Sequence, residues 1–124
     1  MKALIVIDMQ NDFIDGSLGT PQAQAIVKNV KAKIEEYHKN NSPVVFTRDT
    51  HNKNYLETQE GKNLPIVHCV KDTYGVGSFM NSLQQRPNWF SINQPLAQLN
   101  WQNIFACWKV FVKLKLLDFA LIYA

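Results

Sequence analysis

The first unbroken apolar run, Ala3-Leu4-Ile5-Val6-Ile7, is closed by Asp8. A β-branched run without polar alternation fits a strand buried on both faces of a parallel sheet. Asn11, Asp12, Asp15, Gly16 and Gly19 then read as a loop. Thr20-Pro21 is a helix start, with Thr as the cap and Pro at the first helical position. From there Ile26, Val27, Val30, Ile34 and Tyr37 recur at helical spacing, and Lys28, Lys31, Lys33, Glu35 and Glu36 fill the wet side. The pattern fails near Asn40-Asn41, and Pro43-Val44-Val45-Phe46-Thr47 is the next strand. Strand, helix and strand in succession predict a right-handed crossover unit. The fold class expected is α/β, a doubly wound parallel sheet in a three-layer α/β/α sandwich. Ligands in such folds sit outside the carboxyl ends of the strands. Those ends carry Asp8 and the segment Thr47-Arg48-Asp49-Thr50-His51. No internal repeat or low-complexity stretch interrupts the chain.

Composition sets the class. With 124 residues, 46% hydrophobic and 19% charged, the chain is sized for one globular domain. A mean hydropathy of -0.21 argues against disorder. Two cysteines, Cys69 and Cys107, exclude a disulfide scaffold and a four-cysteine zinc site. The opening apolar run is too short for a signal peptide, so a soluble cytoplasmic domain is expected. The net charge of +3 is unevenly placed. Residues 1–75 are balanced, and Arg86, Lys109, Lys113 and Lys115 against Asp118 supply the whole excess. Four scattered cations make no phosphate-tracking stripe, so no nucleic-acid partner is expected. Ile104 to Ala124 is apolar, but Lys109, Lys113, Lys115 and Asp118 interrupt it too densely for a membrane span.

Three segments carry a resemblance. They are Ile7-Asp8-Met9-Gln10-Asn11-Asp12-Phe13 after the first strand, Thr47-Arg48-Asp49-Thr50-His51 after the second, and the loop from Tyr55 through Glu60-Gly61 and Leu64-Pro65 to His68-Cys69. Together, over residues 1–75, they resemble the cysteine hydrolase superfamily of isochorismatases and nicotinamidases. The resemblance implies an Asp-Lys-Cys triad. In it Asp8 takes the proton of a cysteine thiol, and the thiolate attacks the carbonyl carbon of a small carboxamide. Ammonia leaves, and water hydrolyses the thioester. Phe13 falls where nicotinamidases pack an aromatic ring on a pyridine. Gln10 lies beside it at the substrate end, with a supporting role in the loop.

Asp49 and His51 are two apart, so on an extended segment they point to one side, and oxygen with imidazole suits zinc, manganese or iron. The resemblance implies a divalent metal holding the pyridine nitrogen, with no organic cofactor. Its commonest pattern has a second His four residues after the first, where this chain has Tyr55. A variant pattern uses a later Glu and His, for which Glu60 and His68 are suitably placed. Without the resemblance and its Phe13 context, Asp8 reads rather as a strand-end carboxylate capping a neighbouring loop. His51 and His68 read equally as hydrogen-bonded loop histidines beside a solvated Glu60. His38 is a surface residue near a helix end. The alternatives in play are an isochorismatase-like hydrolase without metal and a non-catalytic truncated remnant. The intact enzyme is expected to act on a small carboxamide and to form a homo-oligomer.

After Gly75 the text changes. Residues 76–124 contain no Glu, Thr or His, yet hold all three tryptophans and five of the seven phenylalanines. The family's Lys-Pro-x-x-x-Ser and Cys-Thr-Asp-x-Cys motifs are missing. One extra nucleotide near Gly75 accounts for this. Removing it permits, within synonymous codon choice, Lys-Pro-Thr-Phe-Gly-Ser followed by Gly-Leu-Cys-Thr-Asp-Ile-Cys. The nucleophile is then encoded across Tyr123 and Ala124. The expected organisation is therefore an N-terminal cysteine-hydrolase part, 1–75, and an out-of-frame tail, 76–124, that costs the sheet its later strands. Cys107 reads as a small hydrophobe and Cys69 as no nucleophile. Lacking the Lys and the Cys, the 124-residue chain is expected to be inactive.

Overall fold

The structure, a computed structural model, describes residues 2–80, 89–93 and 118–123. Strand β1 is Lys2–Ile7, helix α1 Asn11–Ile14, helix α2 Pro21–Lys39 and strand β2 Val44–Arg48. A 3-10 turn at Tyr55–Glu57 leads into α3, Gln59–Asn63, and strands β3 and β4 are Trp89–Asn93 and Asp118–Tyr123. The four strands are parallel in the order β3-β2-β1-β4. Leu4 pairs with Val44 on one side and Ala120 on the other, which fixes the register of the centre.

A central parallel strand needs apolar residues throughout, and Ala3, Leu4 and Val6 of β1 are fully buried, as are Val44 and Phe46 of β2. Helix α2 begins as its sequence dictates. The Thr20 hydroxyl accepts the Ala23 N–H at 3.0 Å, and Pro21 occupies the first turn, where it sacrifices no bond. Val30, Ile34 and Tyr37 are buried against Leu4, Val6, Val44 and Phe46, with Ile26 and Val27 at the margin. Asn41 ends the helix in the left-handed region, at φ 50°. No helix among the described residues is long and apolar enough to cross a membrane.

Two expectations change. The segment after β1, read as a loop, contains the single turn α1. The loss of later strands does not hold at β3 and β4, which pair in parallel with β2 and β1. Trp-Phe-Ser-Ile-Asn and Asp-Phe-Ala-Leu-Ile-Tyr are short and rich in aromatic and β-branched residues, which suits a pleated surface whatever message encodes them. Val76–Met80 also joins the fold, since Met80 is fully buried in the core and Phe79 N–H donates to the Met9 carbonyl. The remainder of the tail, including Arg86, Lys109, Lys113, Lys115 and Cys107, lies outside the described residues.

Candidate functional site

The site forms where the chain leaves the carboxyl ends of β1 and β2. Asp8 follows β1 directly and adopts φ 51°, the left-handed region that Asp tolerates better than most residues. This turn is held by Thr47. Its hydroxyl donates to Asp8 Oδ1 at 2.7 Å and accepts the Asp8 N–H at 3.2 Å. Burial pushes the Asp8 carboxyl above its ordinary range. The Thr47 hydroxyl opposes that rise, and the nearby Asp49 charge adds to it.

Gln10 is fully buried. Its oxygen accepts the Asp49 N–H at 2.7 Å, and its amide donates to the Asp49 carbonyl at 2.8 Å and the Val76 carbonyl at 3.0 Å. All three partners of its side chain are backbone groups. The reason is that Asp49 lies past the end of β2 and its backbone needs partners. Asn11 Nδ2 donates to the Tyr74 carbonyl at 2.7 Å. Asp12 Oδ2 accepts the Cys69 N–H at 2.6 Å, and a Cβ at Gly75 would overlap this carboxylate. The Gln10-Asn11-Asp12 segment thus fastens β1 to the loops that carry Asp49 and His68.

The loops bring four potential ligands together. One ligand atom each from Asp49, His51, Glu60 and His68 lies within 4.8 Å of all the others. His51 Nε2 is 2.7 Å from Asp49 Oδ2 and 3.9 Å from Glu60 Oε1, and His68 Nε2 is 3.4 Å from Asp49 Oδ2. Asp49, His51 and His68 are buried, and Glu60 is 30% exposed. Thr58 caps α3 through the Gly61 N–H at 3.0 Å, placing Glu60 in the first turn. Gly61 packs so closely on the Tyr55 carbonyl that no Cβ fits, which lets α3 lie against the turn before it.

The donor set fits a divalent cation. His68 Nδ1 is 2.7 Å from the Ile66 carbonyl, which can only accept, so the proton sits on Nδ1. That bond turns Nε2 toward the Asp49 carboxylate, 3.4 Å away, the orientation a metal-ligating imidazole needs. Two imidazoles and two carboxylates match zinc, manganese or iron(II).

Tyr55, at the position of the family's second His, is not a ligand. It is buried, with its ring centroid 4.5 Å from His51 and 4.9 Å from His68, and its hydroxyl donates to the Leu64 carbonyl at 2.9 Å. It walls the two imidazoles. Phe13, half-buried, lies 5.6 Å from the His68 ring, at the edge of the cluster. Cys69 is buried at φ 46°, and burial foremost, then the carboxylates of Asp49, Asp12 and Asp8, hold its thiol far above the usual range. A protonated thiol is no nucleophile. Strands β3 and β4 contain neither Lys nor Cys. Sequence reasoning missed Thr47, Asp12 and Tyr55 as supports. Thr47 and Asp12 stand inside the motifs that pointed to their neighbours.

Comparison with known proteins bears on the fold and the family. The isochorismatase domain family matches residues 2–97. The nicotinamidase of Saccharomyces cerevisiae is 32% identical over 102 residues, taking in 60% of this chain and 47% of that protein. The chain therefore spans about half the length of that curated relative. Among solved structures, the pyrazinamidase of Pyrococcus horikoshii in complex with zinc superposes with a TM-score of 0.77 at 24% identity, over 99% of this chain and 70% of that one. The pyrazinamidase/nicotinamidase of Streptococcus mutans UA159 gives 0.79 at 24% identity, over 100% and 72%. The N-carbamoylsarcosine amidase of Thermoplasma acidophilum gives 0.76 at 23% identity, over 98% and 66%. At these identities the solved structures speak to the fold.

Proposed function

Since the chain belongs to the isochorismatase domain family, we propose that it derives from a nicotinamidase-like amidase that hydrolyses a small carboxamide to acid and ammonia. The observation that carries this reading is the convergence of Asp8, Phe13 and the Asp49-His51-Glu60-His68 cluster at the carboxyl ends of β1 and β2. Asp49, His51, Glu60 and His68 would hold a divalent cation, which would supply an electron-pair acceptor for the substrate. Phe13 packs on the ring, and the buried Tyr55 lies against both imidazoles. Asp8, with its carboxyl raised by burial, is a better proton acceptor for a thiol than a solvated carboxylate.

The proton donor in that reaction is a cysteine, and the Cys-Thr-Asp-x-Cys motif that would carry it is absent from residues 76–124, whose one cysteine is Cys107. This tail is read as out of frame, and the chain as written binds metal and ring without turnover. The nucleotide sequence across codons 73–78 tests the frame. One base fewer yields a longer protein with Asp8, a Lys and a Cys, which is to release ammonia from nicotinamide. Confirmation of the present reading leaves a disrupted copy, for which nicotinamide binding without ammonia is the expected result. Ammonia release by the 124-residue chain itself overturns the out-of-frame account. A second reading, an isochorismatase-like hydrolase without metal, predicts no retained metal and no deamidation of nicotinamide. The gathering of four potential ligand atoms within 4.8 Å of one another counts against it.

A further inference from the structure

We infer that Gln10 is a positioning residue of the metal cluster, holding Asp49 in ligating orientation from the neighbouring strand's end. The inference rests on the metal reading above and goes beyond it. Asp49 is central to the cluster, because its Oδ2 lies near both His51 Nε2 and His68 Nε2. It also sits just past β2, where the strand ladder no longer fixes its backbone. Gln10 replaces the ladder. Its carboxamide binds the Asp49 N–H and C=O together, at 2.7 and 2.8 Å, as a facing strand residue would. Pinning both sides of one Cα fixes the direction in which the carboxylate leaves the chain.

The third bond, to the Val76 carbonyl, anchors the clamp to a separate loop. Both amide protons and the oxygen are therefore engaged on backbone groups. The residue is fully buried, so the clamp is shielded from competing water. Outer-shell partners of metal ligands typically carry 10–100-fold of metal affinity.

The test uses the full 124-residue chain. Zinc is titrated calorimetrically, and cobalt(II) is followed by its visible absorption, at a temperature where circular dichroism shows each variant folded. Gln10→Met keeps the volume and removes all three bonds. Gln10→Glu keeps an oxygen for the Asp49 N–H and loses the donors. Asp49→Ala removes the ligand. Gln10→Met is expected to raise the zinc Kd about 10–100-fold and shift the cobalt bands, with Gln10→Glu intermediate.

A lowered melting temperature with wild-type zinc Kd and cobalt spectrum makes Gln10 a fold staple only. That overturns the inference while the metal reading stands. If Gln10→Met does not fold, Gln10→Glu gives the same decision, and a wild-type Kd there overturns it. If the unmodified chain binds neither zinc nor cobalt, or Asp49→Ala binds as well as the unmodified chain, the metal reading falls and the inference with it.

Discussion

A carboxylate at the end of a buried strand gives up hydration, and Asp8 receives the Thr47 hydroxyl in exchange. Its carboxyl nonetheless stays raised, with desolvation the largest cause. A raised carboxyl weakens the fold once it ionises. The loss begins as pH rises through the unfolded value of about 4 and is complete above the folded one. Asp8→Asn keeps an oxygen for Thr47 and tolerates the left-handed backbone. In the presence of a chelator it should melt higher than the unmodified chain at pH 7, with the gap closing toward pH 4. Thermal melts across that range check it, and a lower melting temperature at pH 7 would show the carboxylate to be a net stabiliser. Gly75→Ala acts at the other end of the site. Its methyl displaces the Asp12 carboxylate from the Cys69 N–H, at a cost of about 2–3 kcal/mol. Urea unfolding of Gly75→Ala, Asp12→Ala and the double variant should show sub-additive losses, because both substitutions remove one bond.

Elements with a local signature were legible. The periodic run from Ile26 to Tyr37, with Thr20-Pro21 before it, describes α2 closely, and the two β-branched runs describe β1 and β2. Thr20→Ala should cost about 1 kcal/mol and lower the melting temperature by roughly 3–5 °C, read by calorimetry. Helix α1 escaped notice because four residues span too little to show a period, and its bonds run to Cys69, Gly75 and Gly77, far along the chain. The site was legible as motifs but not as roles. Gln10 stood in a recognisable run, yet only the fold shows that its amide faces Asp49. Strands β3 and β4 carry no alternation because parallel strands need none.

At the scale of the molecule, the candidate metal cluster joins segments from three separate parts of the chain. Ligands come from the end of β2, from α3 and from the loop before Cys69. Zinc should therefore stabilise the whole domain by mass action, about 2.7 kcal/mol at a hundredfold excess over Kd. The melting temperature should rise with zinc and fall back with chelator, while Asp49→Ala should show neither change. No movement in the unmodified chain would sink the metal reading.

The placement of β1 between β2 and β4 also sets a timetable. Leu4 finds Val44 early in synthesis but finds Ala120 only when the last strand has been made. Closing the longer loop costs about 1 kcal/mol more by chain statistics, a modest toll in equilibrium. The larger effect is one of time. While the ribosome works from β2 to β4, one side of the most apolar strand stands open to any extended segment nearby. Non-local parallel pairing of this kind folds in milliseconds to seconds rather than microseconds. A chain halted at residue 80 keeps that bare edge for good, and self-association is the course its exposed backbone favours.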